Sequence, residues 1–585
     1  MRKRAGLTVA PAWLVPALVG SSFLLADDFV GPLDVDELWF PAGQTERIEW
    51  SQAAEADSYG LYRGEIGPEG FRLHGTTARY DHVCLATKLP QTWALDPDRP
   101  RPGTAYYYIA TGLRFSAGPY EAPEAGVLSP DGDLPRHPRI RCGPRLYVKA
   151  GAPGPADGLS WETADPTLAE AMARAGEAEL WLSGTIPADD PRQFWDGYVL
   201  YGGFGGNEEF AWQRSPDAHA TVIEGDLVTL WNEGSSFVMD GLEVAGALGT
   251  ESTFVLRRVR VRGDATHVEP SDYGMIHRIV IEDSVLDRGL LVNVCGSVRS
   301  EVRMLNSTLR RDEGTVVALE ADGCIFGDRM RVQLESNRIE GGDRGLSFRA
   351  GNFCDGNHAL VQLRAWLADN VIVGSSVSGI EVTSLAIPDA YSCPAEADLQ
   401  IADNTIADSG GDAVTCRAEG GGISDMTGEI VRASCRARLV DNLITHHDGA
   451  GAVESIAGDE RYNTAELVLV GNDFWALGGP AYRTFDGNSL PDADAINSRE
   501  GHRDNFAADP LYRDLATGDI HLLAGSPAID RAVAGTDEVC EVTDPEVPWR
   551  CAGGSPAAVD IDGEPRGRDG DGDGVARSDV GADER

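Results

Sequence analysis

Asn337-Arg338-Ile339, Asn370-Val371-Ile372, Asn404-Thr405-Ile406, Asn442-Leu443-Ile444 and Asn472-Asp473-Phe474 are five copies of one motif: an asparagine with an aliphatic or aromatic residue two positions on. A looser copy, Asn306 with Leu309, precedes them. Asp240 with Leu242 and Asp283 with Val285 are weaker ones still. From Asn306 onward, successive asparagines are 31, 33, 34, 38 and 30 residues apart. That is longer than a leucine-rich repeat and comparable with a helical repeat. The units between them are rich in Val, Ile, Thr and Gly and alternate with period two, which disfavours helices. One coil of a right-handed parallel β-helix remains. In a coil the asparagine is expected to occupy the left-handed backbone region at a sharp corner. Its amide is expected to pair with the asparagines one rung above and below.

Outward from this core, the segment 146–535 reads as the capped helix. Asp157-Gly158-Leu159-Ser160-Trp161 leads into an amphipathic helix, with Asp165 as its N-cap, Pro166 in its first turn, and Leu168, Ala171, Met172 and Ala175 on one face. A lone helix ahead of the array would cover the open edge of the first coil. Tyr201-Gly202-Gly203-Phe204-Gly205-Gly206-Asn207-Glu208 and Thr221–Asp226 follow. In this order the elements resemble the opening coils of bacterial surface proteins of the pectate-lyase-like superfold, a likeness that implies fold and surface location and brings no catalytic residue.

At the far end, Asp509–Asp514, Asp519-Ile520-His521-Leu522, Gly525–Asp530, Asp560–Gly563, Arg566 and Asp579–Ala582 form an ordered series within the closing acidic region, 536–585, and just before it. The series resembles the ending of a family of secreted bacterial β-helix proteins that attach to the cell surface by differing C-terminal anchors. The chain ends at Arg585 without a sorting motif or a terminal apolar helix, so soluble secretion or periplasmic residence is as expected as attachment. Asp569-Gly570-Asp571-Gly572-Asp573-Gly574 places carboxylates at positions 1, 3 and 5 and glycine at 6 of a calcium loop. Val580 stands where the bidentate acid belongs and Asp579 lies beside it, so Asp569, Asp571, Asp573 and Asp579 are the candidate calcium ligands.

Residues 36–130 read as a small β-sandwich on the runs Arg47–Trp50, Ser58–Gly64 and Gly103–Ala110, which resemble strands B, C and F of a fibronectin type III domain and imply a spacer; 131–145 is the linker. Arg2-Lys3-Arg4 and the apolar run to Ala26 have the layout of a secretory signal, residues 1–26. No later stretch is long and apolar enough to span a bilayer. The ten cysteines then fall in an oxidising compartment. Cys416 with Cys435 and Cys540 with Cys551 suit short loops. Cys295, Cys324 and Cys354 recur at the coil period, with Cys393 as a fourth partner.

A net charge of −43 argues against a phosphate-reading surface, and no nucleic-acid partner is expected. Enzymes of this fold work in a groove along one sheet. A second strand in each coil places Arg349, Glu381, Arg417, Glu454 and Arg483 as outward residues on neighbouring coils, a mixed-charge stripe. An arginine base beside a calcium-holding carboxylate would suit β-elimination of a uronate. Any solvated sheet face offers the same stripe, however, and its charges are spread along the rod. The expectation is therefore non-catalytic binding of a glycan or surface component, with a polysaccharide lyase as the alternative. His446-His447-Asp448 lacks ligand spacing and reads as a solvated turn. There is no GxSxG elbow and no phosphate loop.

Overall fold

The computed structural model describes residues 38–41, 46–52, 58–66, 73–74, 77–78, 83–96, 105–113, 145–174, 179–188, 198–208, 213–228, 236–250, 253–269, 276–295, 299–322, 329–351, 360–386, 394–424, 428–533, 560–562, 564–570, 572 and 574–584. The signal segment, linker residues 131–144, Cys142, Cys324, Cys354, Cys393, Cys540 and Cys551 lie outside them, and Arg145, read as the last linker residue, instead opens the strand Arg145–Lys149.

Three long sheets carry the larger unit. The first has 12 strands, from Arg145–Lys149 to Asn463–Val470. The second has 11, from Thr185–Pro187 to Asp473–Trp475, and the third has 11, from Leu227–Val228 to Ser489–Leu490. Neighbouring strands pair parallel except the last pair of the third sheet. A coil visits each sheet once, for example Arg344–Ala350 in the third, Val361–Ala368 in the first and Val371–Val373 in the second. The chain is a parallel β-helix.

The apolar member of each motif is a core ladder. Ile339, Ile372, Ile406, Ile444 and Phe474 stand in register on the second sheet, all buried. The two tasks assigned to asparagine are split between adjacent residues. The left-handed corner is held by Asn306, Ser336, Asp369, Asp403 and Asp441, with φ between 46° and 56°. The next residue turns its side chain inward, where Asn337, Asn370, Asn404, Asn442 and Asn472 are all 0 % exposed. Each of these amides donates to the carboxamide oxygen of the next rung, at 3.0, 2.9, 3.0, 2.8 and, on to Asn505, 3.1 Å. Asn306 is therefore a corner residue, exposed and bonded to Asp283 at 2.6 Å. The ladder continues N-terminally through Ser307 and Ser284. Asn505, 33 residues beyond Asn472, is a further rung that departs from the motif, with Ala507 rather than a large apolar residue two positions on.

The capping helix spans Leu168–Arg174, and Leu168, Ala171 and Met172 pack into the core. Its N-cap is Thr167, whose Oγ1 accepts from Glu170 N at 3.2 Å. Asp165 is instead buried, with its carboxylate held by Arg174 at 2.7 Å. Phe204 stacks on Trp181 at 4.5 Å, and Trp161 packs against both. The Trp161 indole donates to Glu208 O, while the Glu208 carboxylate accepts from Gly205, Gly206 and Asn207 N–H. The two N-terminal motifs thus lock each other over the first coils.

Cys416 and Cys435 form a disulfide with Cα atoms 5.7 Å apart, joining the third sheet to the first. Both sulfurs lie in the core.

The C-terminal residues return along the outer face of the second sheet. Leu443 packs with Phe506, Leu522, Ala528, Ile529 and Val580; Val371, Val373 and Ala407 pack with Ile520 and Ala582. Gly581 donates to Asp441 O and lies so close that a Cβ there would meet Leu443 at 2.7 Å, with φ at +99°. Asp579 accepts from Asp530 N, Glu584 from Gly567, Arg568 and Asp579 N–H, and Asp560 from Asp562, Glu564 and Glu584 N–H. These acids saturate turn backbone and shape a clasp.

Beneath the clasp, burial pushes the Asp403 carboxyl up to about 6 and that of Asp473 up to about 7. Their contribution is present below the ordinary carboxylate pKa, about 3.9. It is lost as pH rises through those two values. Buried His447, pushed down to about 4, acts oppositely, contributing above about 6.5 and losing that contribution on acidification. Two carboxyls outweigh one imidazole. Limited proteolysis should therefore release the C-terminal segment faster at pH 7.5 than at pH 5; slower release at pH 7.5 would contradict this balance.

The smaller unit holds two three-stranded antiparallel sheets, Leu38–Trp39/Arg47–Trp50/Trp93–Leu95 and Val83–Leu89/Ser58–Ile66/Ala105–Leu113. They share a core of Ile48, Trp50, Tyr59, Leu61 and Ala94. Arg63 and Asp96, both buried, pair at 2.8 Å, and the Tyr108 hydroxyl donates to Asp96 at 2.7 Å.

Candidate functional site

Along stacked parallel strands every second side chain faces outward, and residues in register form rows at about 4.8 Å per rung. On the third sheet one row runs Asn293, Glu320, Arg349, Thr383, Arg417, Ser455. Its neighbour runs Ala318, Ser347, Glu381, Thr415, Val453, Arg483. The expected stripe is thus two rows. Arg349 and Arg417 share one, with Thr383 between them, and Glu381 and Arg483 share the other.

Glu454 belongs to neither. It stands in register with core Cys416, is 8 % exposed and points inward. Its carboxylate accepts from Leu467 N at 2.9 Å and takes the Tyr482 hydroxyl proton bond. Burial raises its pKa. It satisfies backbone and hydroxyl donors near the C-terminal end of the coil stack, and it is closed to a ligand on the sheet face.

The remaining charges of the face are tied locally. Arg344 pairs with Glu381, Arg417 with Glu419 at 2.6 Å, and Arg483 with Asp412 at 3.8 Å. Half-exposed pairs of this kind contribute about 0–1 kcal/mol each, so a ligand can displace them at small cost. The outer face of the first sheet carries a second charged row, Arg331, Arg364, Asp398, Arg436 and Glu466. Beside it runs Arg303, Gln333, Trp366, Gln400, Arg438. The alternation of Gln362, Arg364 and Trp366 is its sequence signal. Burial raises the Asp398 pKa against the pull of Arg364 and Arg436.

His447 is not solvated: it is 1 % exposed and its Nε2 bonds Ile406 O at 2.9 Å. Of the proposed calcium loop, Asp569 accepts from Gly572 and Gly574 N–H at 2.8 and 3.0 Å. Asp571 and Asp573 lie outside the described residues. Asp579 is buried, with one oxygen committed to Asp530 N.

No protein-family model and no curated protein matches the chain. Among solved structures it is similar to the periplasmic alginate epimerase AlgG at 10% identity and a TM-score of 0.24, over 49% of this chain and 76% of that one. An overlap so low transfers no chemistry, and the fold rests on the three sheets themselves. Among the described residues no helix is long and apolar enough to cross a membrane.

Proposed function

We propose that this is an exported β-helix rod that holds a polysaccharide or other extended surface component along the outer face of its third sheet without cleaving it. The carrying observation is the row Arg349, Thr383, Arg417, Ser455, an alternation of cation and hydroxyl along the rod axis. A linear chain of sugars lying along the axis meets a donor at each rung. Glu381, Glu419 and Asp412 are tied to arginines, and Glu454 is turned inward, which removes it as a proton acceptor for the groove. The fibronectin type III-like unit is read as a spacer, and the loop at Asp569 as a calcium site that steadies the C-terminal segment.

The same arginines support a second reading, a polysaccharide lyase, since Arg349 and Arg417, two rungs or about 9.6 Å apart, suit alternate uronates of an acidic chain. Purified protein is incubated with neutral and acidic polysaccharides, with calcium or chelator, and unsaturated product and retained glycan are both measured. Retention without product is expected, weakened about 10-fold or more in the Arg349→Ala, Arg417→Ala double variant, as for loss of two charge-assisted contacts. Calcium-dependent unsaturated product would establish the lyase. Retention unchanged in the double variant would move the site off this face.

A further inference from the structure

In the clasp, three segments converge on one imidazole. His521 lies in the strand Asp519–Leu522, Asp562 in the turn after Asp560, and Asp583 near the C-terminus. One ligand atom from each of His521, Asp562 and Asp583 lies within 4.8 Å of the other two, the one such group among the described residues. The imidazole is oriented from behind: Nδ1 contacts the Asp519 carboxylate, so Nε2 faces Asp562 at 2.6 Å. A carboxylate on the far ring nitrogen is the usual second partner of a metal-binding histidine, fixing tautomer and direction.

Two acids face the imidazole, Asp562 at 2.6 Å from Nε2 and Asp583 within 4.8 Å, while Asp519 behind it has Arg513 at 3.5 Å. Asp583 is 4 % exposed and has Leu522 N as its donor, at 2.8 Å. A dication held between the two carboxylates would balance them. A tetrahedral ion with bonds of about 2.0–2.1 Å sets its ligands about 3.4 Å apart, so the 2.6 Å edge opens slightly and the longest closes.

We propose that His521, Asp562 and Asp583 form a site for a divalent transition ion of the zinc class, with water completing the coordination, and that the ion pins the C-terminal tail to the returning strand. One nitrogen and two carboxylate oxygens suit zinc and cobalt better than calcium, which takes six to eight oxygens. The site is distinct from the Asp569 loop and independent of any ligand on the third sheet.

The test adds zinc or cobalt to the metal-stripped full chain, following bound equivalents after dialysis, the visible cobalt spectrum and release of the C-terminal segment by protease. His521 and Asp562 are partly exposed, with side chains 38% and 48% accessible, so His521→Ala and Asp562→Asn should leave the fold intact. The expected result is one equivalent bound, a four-coordinate cobalt spectrum, and release slowed about 100-fold at 100-fold excess of metal over Kd, all lost in both variants. No bound metal, or protease resistance that zinc does not move, overturns the proposal and leaves an imidazolium clamp. Binding that both variants retain places the ion elsewhere and overturns it equally.

Discussion

Arg566→Met should detach the clasp while the coils beneath stay folded. The guanidinium is 2% exposed, against Asp369 and Glu584 at 0% each. It bonds Asp369 across 197 residues of chain and donates to Gly581 O at 2.7 Å. Asp403 also faces it. Methionine fills much of the volume but leaves buried carboxylates without their cation, a loss of about 3–5 kcal/mol. Burial raises the pKa of Asp369 and Asp403, so acid should partly rescue the variant. Arg568→Met is the control: its pair with Glu564 is about half exposed and worth about 0–1 kcal/mol at most. Limited proteolysis should cut Arg566→Met within 506–585 at least about 100-fold faster, with far-ultraviolet dichroism nearly unchanged and Arg568→Met like the parent. Equal resistance in both variants would show that apolar packing alone holds the clasp.

Asn404→Leu should be far more damaging than a substitution at the thin end of the ladder. Asn404 donates to Leu367 O, Ala402 O and the Asn442 carboxamide, and its oxygen accepts from both Asn370 N and Asn370 Nδ2 at 2.9 Å. Leucine leaves Asn370 N with no acceptor and takes one bond each from Asn370 Nδ2, Leu367 O, Ala402 O and Asn442 Oδ1, although Nδ2 keeps Leu334 O, Ala402 O keeps Asp369 N and Asn442 Oδ1 keeps Asn404 N. At about 1–3 kcal/mol for the stranded donor and about 0.5–1.5 kcal/mol for each lost bond, with partial relaxation, a loss of about 4 kcal/mol is expected. Ser307→Ala, at the thin end of the ladder, loses only its bonds to Ser284 N and Leu305 O and should cost about 1–2 kcal/mol. Hydrogen exchange read coil by coil measures both, because a stacked array need not unfold as one unit. Equal loss at the two sites would mean that the amide chain adds nothing beyond its local bonds.

The period and the core isoleucines were legible because they follow from chemistry repeated in every coil. What a period cannot resolve is a one-residue offset. Corner and ladder positions are adjacent, so Asn306 passed for a rung although Ser307 fills that place. Likewise Val453, not Glu454, is in register with Thr415 and Arg483, and one residue of slip exchanges core for solvent. The C-terminal series was legible as a motif, but its target was not: Arg566 and Asp369, or Ala582 and Thr405, meet only after the coils have stacked. The zinc-class site combines residues from three segments up to 62 positions apart, a spacing no short ligand pattern encodes.

The clasp reads particular rungs. Asp369, Thr405 and Asp441 belong to three consecutive coils, and each receives a different clasp residue. The rod is therefore a ruler graduated at one end only. Whole coils added or deleted ahead of Arg338, which itself donates to Gly518 O, change the rod's length by about 4.8 Å apiece and leave every fastening in place. The same change between Asp369 and Asp441 puts the tail out of step with its seats. Variation in length among proteins built this way should accumulate on the N-terminal side of the fastened coils.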